Sequence, residues 1–282
     1  MRTGRLSLLL AAVAGAGCTA TAEGAPSAWR RIVLVELFTS QGCSSCPPAD
    51  TFVRQLPALG FGRDKVVPLT FHVDYWDRLG WKDPFANPQF TKRQAWYARS
   101  ATLRSPDGPS GLDGIYTPQM IVDGLVQLSG QRRDDAVREM GRAAARAAPF
   151  DLTADGAVHG STIELTVRVA ARGDPRRELD WRLIVALAAT KARTAVLQGE
   201  NAGETLEEAA VVRTLSERIP LPPGPQATVT VKLNKPADQA WSQIDLVAFV
   251  QSEVTREIGG TSMLDRTGSD HFSSSVGALR RR

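Results

Sequence analysis

Two kinds of hydrophobic pattern divide the chain near residue 150. Before this point, two continuous apolar runs cover residues 32–38 and 66–73, and the first is interrupted only by Glu36. Runs of this length are typical of strands that are buried on both faces. Between them, apolar residues recur at helical spacing, namely Phe52, Leu56 and Leu59. A strand, a helix and a second strand in this order predict a right-handed crossover in a parallel sheet.

The next recognisable feature of the first half is a β-hairpin. Residues 119–122 and 125–128 are apolar segments that flank Asp123-Gly124. Asp-Gly favours a two-residue turn with positive φ at both positions, because Asp tolerates the left-handed conformation and Gly adopts it freely. We therefore expect two antiparallel strands that are joined at this turn.

Two further helices are predicted around the hairpin. Before it, Asn87-Pro88 has the residues of a helix start, with Asn as the cap and Pro at the first helical position. After it, residues 132–148 are rich in Ala and Arg, and we expect Val137 and Met140 to face the core. The resulting order of strand, helix, strand, helix, hairpin and helix is the order of a thioredoxin fold.

After residue 150 the pattern changes to alternation of apolar and polar residues, which is typical of half-buried strands. The apolar members of these strands are Ile163, Leu165, Val167, Val169, Val229, Val231, Leu233, Ile244, Leu246, Ala248 and Val250. Turn residues at 173–175 and 221–224 separate the runs. An antiparallel β-sandwich fits this pattern better than a helical domain does.

The predicted fold class is therefore α/β, with a thioredoxin-like domain followed by an antiparallel β-sandwich domain. We place the first domain at residues 30–149, with a helical insertion at 75–116, and the second at 150–264. The final stretch, 265–282, is rich in Ser, Gly and Arg with almost no apolar periodicity, so we expect a disordered tail.

The N-terminal segment has the build of an export signal. Arg2 and Arg5 precede an apolar run at 6–13, which is too short to span a bilayer. Cys18 follows a stretch of small residues, so residues 1–24 resemble a bacterial lipoprotein signal in which the cysteine becomes acylated. Cleavage a few residues later, without lipidation, is the alternative. Both alternatives predict export, either to the periplasm or cell envelope with a lipid anchor or as a secreted protein.

The composition limits the classes of partner. The chain has 282 residues, of which 43% are hydrophobic, so it can fill a core. Its formal charge of +4 comes from scattered basic residues, apart from the final Arg280–Arg282, and no nucleic-acid motif accompanies them. We therefore expect no nucleic-acid partner, and no contact with the membrane beyond the possible anchor at Cys18. With Cys18 assigned to the signal, the folded part holds two cysteines, Cys43 and Cys46.

Cys43 and Cys46 carry the candidate chemistry. They follow a predicted buried strand and precede a helix, within the segment ELFTSQGCSSCPPAD. A helix N-terminus stabilises a thiolate, so Cys43 is the candidate nucleophile and Cys46 the resolving thiol that closes the disulfide. The prolines at 47 and 48 are tolerated there because the first N–H groups of a helix have no intrahelical partner. We expect no cofactor.

Four segments together resemble a known family. They are ELFTSQGCSSCPPAD, FHVDYWDRLGW, FTKRQ and YTPQMIVDG. They are similar to a family of secreted bacterial proteins with a thioredoxin-like fold that is described only as a domain of unknown function. The resemblance is strong over residues 32–130 and weaker for GENAGETLEEAAVVRTL in the second half. It implies a fold and a CxxC motif, but no substrate.

The wider thioredoxin superfamily implies roles for further residues. It has a cis-proline opposite the CxxC, and the matching residue is Pro118, beside which the backbone at Thr117 can pair with a bound polypeptide. A trans turn proline is the alternative. The superfamily also uses a buried acid six positions before the first cysteine, but Glu36 lies seven positions before Cys43. Because one residue reverses the side of a strand, Glu36 is either a functional acid or lies at the exposed end of the strand.

Two alternatives compete with redox chemistry at Cys43 and Cys46. Two thiolates with His72 can hold Cu(I) or Zn, which would make the chain a periplasmic metal-binding protein. A structural disulfide in a non-catalytic interaction protein is the other alternative, although so short a loop constrains little of the unfolded chain. We favour a thiol–disulfide oxidoreductase that acts on protein or small-molecule thiols, because the strand–CxxC–helix context and Pro118 fit that activity.

The predicted insertion contains three of the six tryptophans in the chain. Trp76 and Trp81 are candidates for a wall that grips a substrate together with Thr117. The alternative is a local core that stabilises the insertion itself.

Overall fold

The computed structural model describes residues 29–106 and 114–274, so the predicted signal with Cys18 lies outside the described residues. Within these ranges the protein is mixed α/β, with a thirteen-stranded sheet and three α-helices. The helices are α1 (Pro47–Gln55), α2 (Pro88–Ala98) and α3 (Arg133–Ala144). The strands are β1 (Val33–Thr39), β2 (Val66–His72), β3 (Gln119–Val122), β4 (Val126–Ser129), β5 (Phe150–His159), β6 (Thr162–Ala171), β7 (Trp181–Ala195), β8 (Thr205–Leu215), β9 (Ile219–Pro220), β10 (Gln226–Asn234), β11 (Ile244–Ser252), β12 (Ile258–Arg266) and β13 (His271–Ser274). None of the helices described is long and apolar enough to cross a membrane.

Strand β1 is the centre of the first half. It pairs in parallel with β2, as predicted, and antiparallel with β3. Helices α1 and α3 cover one face, where Phe52 and Met140 belong to the same core cluster. Helix α2 covers the other face with Phe90 and Tyr97. The two long apolar runs of the sequence are thus buried on both sides, which explains why they lack alternation.

The turn between β3 and β4 has the predicted backbone. Asp123 and Gly124 have φ angles of 53° and 76°, and the N–H of Leu125 donates to the carbonyl oxygen of Val122 at 3.1 Å. Glycine is needed at 124 for a second reason. A Cβ there would lie 1.9 Å from the carbonyl oxygen of Arg256, so this turn rests directly on the second half of the chain.

Two apolar residues of the predicted helices are exposed. Leu59 is 52% exposed, because α1 ends before it. Val137 is 36% exposed, whereas Met140 on the same helix is fully buried. Helix α3 also ends earlier than predicted, at Ala144.

The second half is antiparallel, as predicted, and the apolar face of β6 is buried in a cluster with residues of β7 and β11. Strand β11, however, is apolar on both faces. Leu246 and Val250 join that cluster, while Val247 and Phe249 pack with residues of β1 and β2 on the opposite side. The two halves therefore share a core.

The sheet also runs from one half into the other. Strand β8 pairs in parallel with β2 at Thr70 and Val211, and the hydroxyl of Thr70 donates to the carbonyl oxygen of Ala209 at 2.9 Å. A boundary at residue 150 separates two sequence patterns, but it separates neither the sheet nor the core.

The prediction of a disordered tail is wrong for residues 265–274. Strand β12 extends to Arg266, and β13 pairs with both β12 and β5. Phe272 is 1% exposed and packs edge-on against Trp241. One large apolar residue in a polar segment produces no periodicity, yet its burial suffices to hold a short strand in place. Residues 275–282 lie outside the described residues.

Candidate active site

Cys43 and Cys46 form a disulfide at the start of α1. Cys46 is the N-cap of the helix, and its N–H donates to the carbonyl oxygen of Cys43 at 3.2 Å. Both cysteines are 0% exposed, whereas Ser44 and Ser45 between them are exposed. Attack on either sulfur therefore requires a local movement that uncovers it.

The loop before β3 is linked to the CxxC loop through Trp76 and to α1 through Gly130. The Thr117–Pro118 peptide bond is cis, as predicted. The indole Nε1 of Trp76 donates to the hydroxyl of Thr117 at 2.8 Å, and a Cβ added at Gly42 would lie 3.2 Å from the Cβ of Trp76. A Cβ added at Gly130 would lie 2.8 Å from a side chain of α1 and 3.1 Å from Pro118. Trp76 thus links the CxxC loop to the loop of Pro118, and close packing holds that loop against α1.

Trp81 contacts a different part of the CxxC loop. Its Nε1 donates to the side-chain oxygen of Gln41 at 3.2 Å. The backbone N–H of Gln41 donates to Asp83 at 2.8 Å, and its side-chain amide donates to Glu208 at 3.0 Å. The buried Gln41 therefore connects the insertion, the CxxC loop and β8.

Four buried ionisable side chains lie at the carboxyl ends of β1 and β2, under the first turn of α1. They are Asp50, His72, Asp83 and Glu208. Thr39 ends β1 and His72 lies opposite it at the end of β2. Nδ1 of His72 hydrogen-bonds Asp83 at 2.7 Å, and its Nε2 lies 3.7 Å from Glu208. Asp50, on α1, accepts a hydrogen bond from the hydroxyl of Thr39 at 3.2 Å.

The buried site shifts the pKa of each of these groups. Burial, together with the negative charge of Glu208, raises the pKa of Asp50 from 3.8 to about 7. Burial alone would lower the pKa of His72, but the charges of Asp83 and Glu208 raise it to about 9. Burial also raises the pKa of Glu208. For Asp83 burial acts in the same direction, but the charge of His72 and several hydrogen bonds outweigh it and lower the pKa.

At neutral pH, His72 is therefore an imidazolium between two carboxyl groups, and Asp50 is close to its midpoint of protonation. Three atoms of the cluster have no hydrogen-bond partner among the described residues, namely Oδ1 of Asp50, Nε2 of His72 and Oε1 of Glu208. Buried polar atoms of this kind are costly to leave unpaired and are common at functional sites. The cluster is thus suited to holding and releasing a proton.

Glu36 does not belong to this cluster. Its neighbours Val35 and Leu37 face α1, whereas Glu36 faces α2. Nε and one terminal nitrogen of Arg93 bind its two oxygens at 2.6 and 2.8 Å, and the hydroxyl of Tyr97 donates to it as well. Glu36 is 1% exposed, so the alternative of an exposed strand end is wrong, and the described partners of its carboxylate are Arg93 and Tyr97 rather than the cysteines. Glu36 lies one position farther from the first cysteine than the acid of the thioredoxin superfamily does, and a shift of one residue places a side chain on the opposite side of the strand.

The structure also does not assemble the metal site that was considered for His72. Its two ring nitrogens are directed at carboxylates, while Cys43 and Cys46 are bonded to each other. Over residues 29–106 and 114–274, no group of three or more His, Cys, Asp and Glu side chains is arranged to hold a metal ion.

The connection between β7 and β8 completes the site from the second half. The buried Asn201 donates to the carbonyl oxygens of Gln41 and Cys43 at 2.9 and 3.0 Å. One oxygen of Glu200 accepts hydrogen bonds from both the N–H and the hydroxyl of Ser44, at 2.9 and 2.7 Å. The second half is therefore in direct contact with the CxxC loop.

Sequence reasoning had missed five of these residues, namely Asp50, Asp83, Glu200, Asn201 and Glu208. A signal for three of them was present, because the segment GENAGETLEEAAVVRTL contains Glu200, Asn201 and Glu208. Asp50 is the last residue of ELFTSQGCSSCPPAD. Nothing in the sequence pattern distinguishes Asp83 from an exposed loop residue.

Over residues 34–251 the sequence matches the family described as "Protein of unknown function (DUF1223)". The chain belongs to this family. The match confirms the predicted resemblance to a domain of unknown function, and it spans the CxxC loop together with Glu200, Asn201 and Glu208. No curated protein matches the chain significantly.

Two solved structures resemble this DUF1223 protein. One is a crystal structure of a protein from Agrobacterium tumefaciens, with 24% identity and a TM-score of 0.60, in which the match covers 84% of this chain and 97% of that chain. The other is HBP35 of Porphyromonas gingivalis, with 13% identity and a TM-score of 0.59, covering 83% of this chain and 75% of that chain. At these identities the likeness concerns the fold alone.

Proposed function

We propose that this DUF1223 protein is an exported thiol–disulfide oxidoreductase that acts through Cys43 and Cys46 on thiols or disulfides of proteins or small molecules. The observation that carries the proposal is Asp50, a buried acid one helical turn after Cys46 with a pKa of about 7. A disulfide that served only as a staple would gain nothing from a buried acid, whose desolvation costs stability.

The first half supports the proposal through the order of its elements. Strand β1, α1, β2, α2, the hairpin of β3 and β4, and α3 follow each other as in a thioredoxin-like domain, with a cis-proline before β3. In this interpretation the backbone at Thr117 pairs with a bound substrate chain, which Trp76 and Trp81 contact. We infer export from the predicted signal, with a lipid anchor at Cys18 or without one, and export would bring the protein to a compartment where disulfides persist.

The reaction is a pair of thiol–disulfide exchanges. In the reduced protein, the Cys43 thiolate attacks one sulfur of a substrate disulfide, and the other substrate sulfur leaves as a thiolate. Cys46 then attacks the sulfur of Cys43, which expels the second substrate sulfur and forms the bond between Cys43 and Cys46. Two electrons pass from the protein thiols to the substrate, and the two protons of the protein thiols end on the substrate thiols. A substrate dithiol drives the same steps in reverse.

Asp50 is the group that takes the proton from Cys46 when it attacks and returns it when Cys46 leaves. A helical side chain covers the turn that precedes its own Cα, and for Asp50 this is the turn that begins at Cys46. A pKa near the working pH allows a group to act efficiently as acid and as base. The neighbouring His72 and Glu208 adjust that pKa in opposite directions.

The test is a comparison of two cysteine variants. Reduced Cys46→Ser keeps the nucleophile but cannot resolve, so it should accumulate a stable mixed disulfide with a peptide disulfide. Cys43→Ser is the matched control and should form none. The proposal is wrong if Cys46→Ser forms no adduct faster than a free thiol does and if Cys43 titrates near the ordinary value of about 8.5. A purely structural disulfide would instead show reduced stability in Cys43→Ser and no exchange in the wild type.

A further inference from the structure

Glu200 brings a carboxylate of the second half into the CxxC loop. Its Oε2 accepts both the N–H and the hydroxyl of Ser44, the residue that directly follows Cys43. These hydrogen bonds lower the pKa of Glu200, so the group is ionised at neutral pH. A negative charge is therefore held at Ser44, one residue after Cys43.

Backbone N–H donors are scarce around the start of α1, although the hydroxyl of Ser45 lies 3.2 Å from the sulfur of Cys43. Pro47 and Pro48 have no N–H, and the N–H of Cys46 donates to the carbonyl oxygen of Cys43. Glu200 occupies the N–H of Ser44. Thiolates at a helix N-terminus are stabilised by such donors and destabilised by a nearby negative charge. The negative charge of Glu200 and its use of the Ser44 N–H thus both destabilise a thiolate at Cys43.

The position of Glu200 is set by its neighbours on the same connection. Asn201 is 7% exposed and holds the carbonyl oxygens of Gln41 and Cys43. Gly199 has a φ of 82°, and a Cβ there would lie 3.2 Å from the Cβ of Trp81. The backbone on both sides of Glu200 is therefore anchored to the site, which keeps a long exposed side chain near the cysteines at a small entropic cost.

We infer that Glu200 destabilises the Cys43 thiolate and so shifts the equilibrium of the pair toward the disulfide, which makes the dithiol form a stronger reductant. The reason is thermodynamic, because a group that disfavours the reduced form lowers the reduction potential. The second half then acts as a redox-tuning element for the cysteines of the first. The biological meaning rests on the proposed function, but the tuning is a property of the cysteine pair and can be measured by itself.

The experiment is a redox titration of Glu200→Gln against wild type in dithiothreitol buffers. Dithiothreitol donates two electrons and two protons to the protein disulfide and closes into its own cyclic disulfide. Gln keeps the side-chain oxygen that accepts from Ser44 but removes the charge. We expect the equilibrium constant for reduction of Cys43–Cys46 to rise about two- to fivefold in the variant, as for other exposed charge interactions, and the pKa of Cys43 to fall.

Glu204→Gln is the matched control. Glu204 is an exposed residue of the same connection, and none of the described hydrogen bonds or ion pairs involves its side chain. It removes the same charge from the same segment and should leave the equilibrium constant unchanged. The effect of Glu200→Gln should also shrink in about 1 M salt, where the screening length is about 3 Å.

Equal equilibrium constants for wild type and Glu200→Gln, or a lower constant in the variant, would overturn the inference. The same holds if Glu204→Gln reproduces the change, since the effect would then be one of net charge. A failure of the proposed function would give a different experimental result. In that case the wild type fails to exchange with peptide disulfides, while the equilibrium constants of the variants still report on Glu200.

Discussion

The backbone N–H of Asp50 donates to the carbonyl oxygen of Cys46 at 3.2 Å, so the buried carboxyl group lies one helical turn after the second cysteine. The same carboxyl group accepts a hydrogen bond from Thr39 at the end of β1, and its pKa responds to the charges of Glu208 and His72. A proton on Asp50 is therefore coupled to α1, to the central strands and to the second half of the chain. This coupling is the basis of the first two predictions.

Asp50→Asn should slow disulfide exchange. The substitution preserves size and shape but cannot exchange a proton, so we expect the rate of reduction of a peptide disulfide to fall about 10- to 100-fold at neutral pH. The measurement is the steady-state rate with dithiothreitol as the electron source. Asp64→Asn, which changes an exposed acid, is the control and should keep the wild-type rate. A folded Asp50→Asn protein with an unchanged rate would exclude the proton-transfer role.

The contributions of Asp50 and His72 to the stability of the folded protein should fall as the pH rises. Their pKa values are raised on folding, so at these two groups the folded state binds more protons than the unfolded state does. The contribution of Asp50 is complete below its unfolded pKa of 3.8 and is lost as the pH rises through about 7. That of His72 is complete below 6.5 and is lost as the pH rises through about 9.

Asp50→Asn isolates the first of these contributions. Relative to wild type, the variant should gain up to about 4 kcal/mol in the free energy of unfolding between about pH 4 and pH 8, because a shift of one pKa unit corresponds to about 1.4 kcal/mol. Denaturant unfolding at a series of pH values, with the disulfide intact, provides the comparison. A difference between variant and wild type that stays constant over this range would contradict the shifted pKa.

Glu36→Gln should reduce stability without reducing exchange. The substitution leaves the buried guanidinium of Arg93 without its carboxylate, and breaking a buried pair from one side costs about 3 kcal/mol or more. We expect this loss in the free energy of unfolding, with a wild-type exchange rate per folded molecule. Replacing Arg93 by Met in the same protein should recover part of the loss. A stable Glu36→Gln protein with slow exchange would show that Glu36, and not Asp50, is the working acid.

Trp76 and Thr117 should act as a coupled pair in substrate binding. Their hydrogen bond of 2.8 Å joins the insertion, which packs against Gly42 of the CxxC loop, to the loop of Pro118. We expect Trp76→Phe and Thr117→Val each to raise the KM for a peptide disulfide several-fold, and the double variant to show a coupling energy of about 1 kcal/mol. Trp81→Phe is the comparison, because Trp81 donates to Gln41 and should not couple to Thr117. Strictly additive effects of the first two substitutions would rule out the link.

Many features of the first half could be predicted because they depend on residues close together in the chain. Asn87 accepts a hydrogen bond from the N–H of Gln89 at 2.9 Å, as a helix cap does within its own turn. The positive φ angles of Asp123 and Gly124 are likewise a property of that dipeptide. The alternation along β6 was visible because one face is buried and the other is exposed. Strand β11 is buried on both faces, so its partner on the second face could not be read from the pattern.

The sequence by itself determined the CxxC at a strand-to-helix junction and the antiparallel strands of the second half, and the resemblance to the thioredoxin superfamily implied the cis-proline. Only the tertiary structure decided which acid is buried beside His72 and Glu208 in the first turn of α1, one helical turn after Cys46. Glu36 and Asp50 are the first and last residues of the same segment, yet Glu36 pairs with Arg93 on one face of the sheet and Asp50 lies with His72 and Glu208 on the other. The physical reason is that the side of a strand changes with every residue, while the partners of a buried charge come from distant parts of the chain. The local sequence pattern predicts the side of a strand on which a residue lies only if its position is known to better than one residue. It does not predict which distant residues will pair with a buried charge.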